Sequence, residues 1–218
     1  MFLALEQVLT PAEVTALREV AGALDFGDGR ATAGLYARTI KANDQAQPSP
    51  ELEAVQTKVM AALAAHPVFV SAARAKAMTK PIVSRYREGQ TYGLHVDDAV
   101  MQNIRTDLSY TLFLSLPESY AGGALVIADT AEERAFKLAA GDLILYPSTT
   151  LHRVEPVQSG ERLAVVGWVQ SWVRDDAQRE ILFDLDRAIA ALFATGGKTD
   201  TFDTLCKTRS NLLRMWAA

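Results

Sequence analysis

Hydrophobic positions change their spacing twice along the chain. Val14, Leu17, Val20, Ala21 and Leu24 follow the helical interval, behind Thr10-Pro11-Ala12-Glu13. That tetrad supplies an N-cap hydroxyl, a proline suited to a first turn and a glutamate placed for a capping box. Residues 25–29 end this helix, and residues 30–49 read as irregular, with turn chemistry at Asn43-Asp44-Gln45 and Pro48-Ser49-Pro50. A second helix follows Ser49, with Leu52, Val55, Val59, Met60 and Leu63 on one face; His66-Pro67 closes it, because the residue before proline disfavours helix. From Thr79 the period becomes 2. Strands are predicted over 80–86, 107–116, 124–128, 135–138, 143–146, 152–157 and 163–172, separated by Gly, Pro and Asp turns. After Val173 the helical period returns. Ile181, Leu182, Leu185, Ile189 and Leu192 form a long apolar face stopped by Gly196-Gly197, and Phe202, Leu205, Cys206, Leu212, Leu213 and Trp216 mark a last helix.

Seven or eight short strands without intervening helices suggest an antiparallel sandwich or barrel. The expected organisation is one compact unit, mainly β with flanking helices. Residues 1–75 form an N-terminal helical buttress without apparent catalytic residues, 76–174 the β domain, and 175–218 a C-terminal helical extension. At 218 residues, 49% of them hydrophobic, there is ample material for a core. A net charge of −4 argues against a nucleic-acid partner. No apolar run approaches the ~20 residues a membrane span needs, and the N-terminus lacks a basic, then apolar, leader. The single cysteine, Cys206, is expected to pack in a helix and suits a reducing cytoplasm.

The candidate chemistry begins at His95-Val96-Asp97. Alternate side chains of a strand point the same way, so this imidazole and carboxylate could grip one metal ion. The chain has three histidines. His66 lies at a helix end and is expected to be incidental, whereas His152 lies in the strand-rich middle and could supply a third ligand. Two imidazoles and a carboxylate suit non-haem Fe(II) and leave coordination positions open.

Arg162, ten residues after His152, starts a strand on which Arg162, Ala164, Val166 and Trp168 share one face. The apolar neighbours suggest that this face looks inward. An arginine there needs an anion: a structural carboxylate on the bland reading, or the carboxylate of a ligand clamped in bidentate fashion. In a plain hairpin His152 and Arg162 would lie ~16 Å apart, at roughly 3.3 Å per residue, too far to share one small ligand. A jelly roll sends successive strands to opposite sheets, so both side chains can face one cavity. The ligand-clamp reading therefore requires the double-sheet fold.

The pattern HxD…H followed by Arg resembles that of the Fe(II)/2-oxoglutarate dioxygenases, built on a double-stranded β-helix (jelly roll). Several segments are similar to the bacterial PKHD-type hydroxylases of the prolyl 4-hydroxylase-like branch. They are residues 85–98 (RYREGQTYGLHVDD), 105–115 (RTDLSYTLFLS), 122–129 (GGALVIAD), 140–153 (AGDLILYPSTTLHR), 173–178 (VRDDAQ) and 211–216 (NLLRMW). The resemblance implies that His95, Asp97 and His152 hold Fe(2+), that Arg162 holds the distal carboxylate of 2-oxoglutarate, and that Tyr86 lines the cosubstrate pocket. Phe113 stands where some relatives carry a second tyrosine, which leaves a hydroxyl partner for that carboxylate missing or supplied elsewhere. It also implies O2 as co-reactant, succinate and CO2 as products, L-ascorbate as a helper and a link to iron acquisition.

The substrate, peptide or small molecule, is unread. Arg85, Arg87, Arg105 and Arg153 flank the ligands; they are either solvated edge charges or contacts to an anionic substrate. The rival from another class is a cupin-like module that binds metal without turnover. A zinc hydrolase is less attractive, because no candidate base flanks the ligands. The apolar C-terminal helices could pack on a second copy of the chain as a homo-oligomer.

Overall fold

The computed structural model describes residues 1–128 and 131–218. Two antiparallel sheets lie face to face. The larger has the strand order Leu3–Leu5, Leu143–Pro147, Leu108–Phe113, Arg162–Ser171, Ile82–Tyr86, Asp44–Ala46, Phe26–Asp28, with Ala75–Met78 paired to the far end of Arg162–Ser171. The smaller runs Glu133–Phe136, Leu125–Ala128, His152–Val154, Thr91–His95, Lys41–Ala42. From Ile82 onward the chain passes back and forth between the sheets: 82–86 in the larger, 91–95 in the smaller, 108–113 in the larger, the hairpin 125–128 and 133–136 in the smaller, 143–147 in the larger, 152–154 in the smaller and 162–171 in the larger. This is jelly-roll winding, and it puts His152 and Arg162 on opposing sheets, as the ligand-clamp reading required.

Side-chain alternation builds two cores. Along Leu143–Pro147, Leu143 and Leu145 face the helices, while Ile144 and Tyr146 face the space between the sheets. Leu108, Tyr110, Leu112 and Leu114 likewise join the helix-side core and Phe113 the inter-sheet core. The helix-side core is completed by α1 (Pro11–Gly22), α2 (Pro50–Ala65) and α3 (Pro67–Ala73). The capping box of α1 forms as expected, with Thr10 Oγ1 accepting from Glu13 N at 3.3 Å and Glu13 Oε2 accepting from Thr10 N at 2.9 Å. On α2 the buried face is Leu52, Val55, Val59 and Leu63. Burying a side chain of this size contributes roughly 1.5–3 kcal/mol, so α2 is held by packing more than by propensity.

Past the sheets, α4 (Asp176–Gly196) starts at the Asp175 cap and contributes Leu182 and Phe183 to burial. Buried Arg179 pins that start, donating to the carbonyls of Val173 and Arg174 at 2.7 Å each. α5 (Asp200–Trp216) packs along α4 and has no fully buried residue.

Several sequence expectations change. Residues 1–75 carry more than helices: Leu3–Leu5, Phe26–Asp28 and Asp44–Ala46 join the larger sheet, and Lys41–Ala42 joins the smaller. Residues 30–49, read as irregular, thus step from one sheet to the other across Asn43. Strands of two or three residues show no period, which is why they were illegible. His66 is not incidental, because its Nδ1 accepts from Phe69 N at 3.3 Å and caps α3. The expected strand at 152–157 is two strands, His152–Val154 and Val157–Gly160, broken at Pro156, which has no N–H to donate to a ladder. An unforeseen hairpin pairs Val100–Met101 with Ile104–Arg105 through Gln102 and Asn103, both at positive φ, as a type I′ turn requires. Of the segment 122–129, Asp129 lies outside the described residues.

Candidate active site

His95 ends the strand Thr91–His95 and stands directly opposite His152 on the neighbouring strand. Their ring centroids are 4.2 Å apart. Asp97, two residues past the strand end, brings Oδ1 to 3.8 Å from His152 Nε2. One ligand atom from each of the three lies within 4.8 Å of the other two. Each histidine points Nδ1 at a backbone carbonyl, Gly93 O at 2.8 Å for His95 and Thr150 O at 3.0 Å for His152. A carbonyl only accepts, so Nδ1 carries the proton and the Nε2 lone pair is free for a metal. Asp97 Oδ2 accepts from Ser109 Oγ at 2.6 Å, and Ser109 is in turn 2.8 Å from Ser148 Oγ. One carboxylate oxygen is thereby tied back and the other left facing the imidazoles.

Aromatic rings fix the histidines in place. Tyr92 stacks on His95 at 3.6 Å and 20°, and Tyr146 meets His152 edge-on at 5.2 Å. Burial, followed by the neighbouring His152, pushes His95 down to about 4, so its imidazole is neutral and ready to ligate at neutral pH. The donor set of two imidazoles and one carboxylate, anchored on one side only, fits Fe(II) with positions left open.

The same cavity is lined by Arg162, Tyr86, Tyr146, Trp168, Lys41 and Asn43 among others. Arg162 is 1% exposed. Its guanidinium carbon sits 5.2 Å from the Tyr86 ring centroid and 5.4 Å from that of Phe113. Tyr86 is its direct register partner. Among the described residues no carboxylate pairs with Arg162, and its Nε has no hydrogen-bond partner. A buried guanidinium left in that state is costly, and its fork matches a ligand carboxylate. The residues present therefore fit 2-oxoglutarate as well as iron.

Of the residues singled out in the sequence, His95, Asp97, His152, Arg162 and Tyr86 all converge on this cavity. The four flanking arginines are paired to protein carboxylates. Arg85 reaches Asp44 at 3.3 Å and stacks on Phe26 at 3.8 Å; Arg87 reaches Glu161 at 3.4 Å. Arg105 takes Asp107 in bidentate fashion at 2.7 and 2.9 Å, and Arg153 takes Glu133 at 2.6 and 2.9 Å. Each therefore already has a protein counter-ion.

Sequence reasoning missed Ser109, Ser148, Tyr92, Lys41 and Tyr120. For Ser109 a signal existed: Ser109 and Thr111 are the polar members of one face of an otherwise apolar strand. Tyr120 is buried, its hydroxyl has no hydrogen-bond partner among the described residues, and the Arg162 charge acts on it. Gly123, at φ +65°, lets the two side chains approach: a Cβ there would lie 3.2 Å from the Tyr120 ring and 3.3 Å from Arg162 Cδ. Tyr120 thus brings a hydroxyl to the arginine whose other neighbour, Phe113, has none.

The jelly roll and its His–Asp–His centre place the chain among the non-haem iron oxygenases. A family model for the 2OG-Fe(II) oxygenase superfamily matches residues 81–170, and one for the PKHD-type hydroxylase C-terminal domain matches residues 176–218. The chain is 51% identical to a PKHD-type hydroxylase of Maricaulis maris over 217 residues, covering 100% of this chain and 99% of that one. It is 47% identical to one of Acaryochloris marina over 218 residues, covering 100% of both. Among solved structures it shares its fold with a Pseudomonas putida prolyl-4-hydroxylase (TM-score 0.56, 20% identity, 78% of this chain and 92% of that one). A viral collagen prolyl hydroxylase from Paramecium Bursaria Chlorella virus-1 is similar at TM-score 0.53 and 18% identity, covering 78% and 96%. The chain belongs to the PKHD-type hydroxylase family, and it is an Fe(II)- and 2-oxoglutarate-dependent hydroxylase.

Proposed function

We propose that the protein hydroxylates a C–H bond of its substrate with iron held by His95, Asp97 and His152, and with the distal carboxylate of 2-oxoglutarate held by Arg162. The observation that carries this reading is the buried guanidinium, without a carboxylate partner among the described residues, in the same cavity as the three ligands. When bound, iron and cosubstrate supply the oxidising chemistry, in which 2-oxoglutarate and O2 become succinate, CO2 and a hydroxyl on substrate carbon.

The chain's own part is orientation and exclusion of water. Gly93 O and Thr150 O fix the imidazole tautomers. Ser109 keeps Asp97 to one ligating oxygen. Tyr86 and Phe113 pack beside the Arg162 fork, which supports a fixed direction for the cosubstrate. Tyr120 supplies a hydroxyl beside that fork.

L-ascorbate as a helper, a cytoplasmic setting, a peptide or small-molecule substrate and a dimer through α4 and α5 complete the reading. No helix among the described residues is long and apolar enough to cross a membrane. Succinate release from 2-oxoglutarate tests the proposal. It should require Fe(II) and O2 and be lost in His152→Ala; absence of succinate with every iron and substrate pool supplied would favour a metal-binding module without turnover.

A further inference from the structure

The hydroxylase reading uses one cation of the cavity, and the cavity contains two. Lys41 lies on the edge strand Lys41–Ala42 of the smaller sheet, opposite Tyr92 in register, while Arg162 belongs to the larger sheet. The Lys41 side chain lines the same cavity and the residue is 7% exposed. Its Nζ stands 4.9 Å above the Tyr92 ring, which itself stacks on His95 at 3.6 Å. The ammonium is therefore one aromatic ring removed from a metal ligand.

A buried lysine ordinarily has a carboxylate partner. Among the described residues Lys41 forms no ion pair, and its hydrogen bond runs to Thr32 Oγ1 at 3.1 Å. Thr32 directs its own proton to Gln45 Oε1 or Gly29 O, so it serves Lys41 as an acceptor only. An ammonium has three donors; one goes to Thr32, the charge also rests over the Tyr92 ring, and no further hydrogen bond from Nζ is made among the described residues. Burial pushes Lys41 down to about 8, which agrees with a charge short of counter-ions; Asp97 and Asp28 act on it from a distance. The arginines that flank the ligands differ in this respect, since each is paired to a protein carboxylate.

We propose that Lys41 is the specificity-determining residue for the primary substrate, and that this substrate presents a carboxylate to it beside the metal centre. The inference rests on the hydroxylase reading. It gives each buried cation its own anion, Arg162 the cosubstrate and Lys41 the substrate, one from each sheet.

The test uses the full chain loaded with Fe(II) and 2-oxoglutarate without O2, followed by the charge-transfer absorption of the iron–keto-acid pair. Matched probes are then titrated against that band: N-acetylglycine against N-acetylglycinamide, and benzoate against benzamide. The wild type should bind the carboxylate of each pair at least about tenfold more tightly, the size of one charge-assisted hydrogen bond. Lys41→Met should erase the preference while the 2-oxoglutarate titration stays unchanged, and Lys41→Arg should restore it in part. Thermal melts of both variants establish that they fold. Equal binding of acid and amide by the wild type overturns the proposal, as does a preference that survives in Lys41→Met. Weakened 2-oxoglutarate binding in Lys41→Met would also overturn it, by assigning the lysine to the cosubstrate. A wild type that forms no charge-transfer band at all would instead sink the hydroxylase reading beneath it.

Discussion

Replacing Arg162 with methionine should move stability and ligand binding in opposite directions. Arg162 is 1% exposed, its Nε has no partner among the described residues, and the neighbouring rings, Tyr86 and Phe113, neutralise no charge. Exchanging a buried ion for an apolar side chain of similar length is often neutral or stabilising by about 1–4 kcal/mol. For a chain of this size that raises the melting temperature by about 2–4 °C per kcal/mol. The same change removes a bidentate, charge-assisted contact to the cosubstrate. Two such hydrogen bonds are worth about 1.5–3 kcal/mol each, so 2-oxoglutarate should bind about 10²–10⁴-fold more weakly. Differential scanning fluorimetry with and without 2-oxoglutarate, in the presence of Fe(II) and absence of O2, reads both effects at once. The wild type should melt higher with cosubstrate, whereas Arg162→Met should melt at or above the ligand-free wild type and gain nothing from it. A variant destabilised by about 3–5 kcal/mol, the penalty for stranding a buried partner charge, would mean that a protein carboxylate holds Arg162 after all. Retained 2-oxoglutarate binding would refute the clamp directly.

Three further expectations concern the metal ligands and the core. Ser109→Ala frees Asp97 Oδ2 and should weaken Fe(II) or Mn(II) binding about 10–100-fold while the fold is kept; an unchanged metal titration would leave the serine without a role. In the metal-free protein His95 sits at about 4 against 6.5 in the unfolded chain. The unfolded chain therefore takes up a proton that the folded one refuses, so stability is complete above pH 6.5 and declines as pH falls towards 4. Urea midpoints across that window should show the decline, less steeply in His95→Gln; an equal slope in the variant would point to another group. Finally, a Cβ on Gly167 would sit 2.4 Å from the Tyr110 hydroxyl, which has no hydrogen-bond partner among the described residues. Gly167→Ala should cost about 1–3 kcal/mol, and adding Tyr110→Phe should recover part of it in denaturant melts; simple additivity of the two would rule out the clash.

The legible part of this protein was whatever repeats over several turns or pleats. Val14 to Leu24 and Leu52 to Leu63 carry a helical stripe because each faces a sheet, and Leu108–Phe113 alternates because its two faces meet different cores. The candidate site was readable for a related reason: His95 and Asp97 stand two apart at a strand end, and Arg162 is a cation among apolar strand residues. Lys41, Asn43 and Tyr120 were not readable. The first two sit where the chain changes sheets within a few residues, too short a run to show a period. Tyr120 begins a strand of three residues, and only the approach of Gly123 to Arg162 reveals its neighbour. Likewise His66 looked incidental because an N-cap contact made by a ring nitrogen leaves no spacing signature.

A crystal structure with Mn(II) in place of iron and 2-oxoglutarate bound, grown without O2, probes the assignment of the site most directly. The expected density shows the metal on His95 Nε2, Asp97 and His152 Nε2, with the distal carboxylate of 2-oxoglutarate on the Arg162 fork. Metal elsewhere, or a cosubstrate carboxylate that leaves Arg162 without an anion, would contradict it.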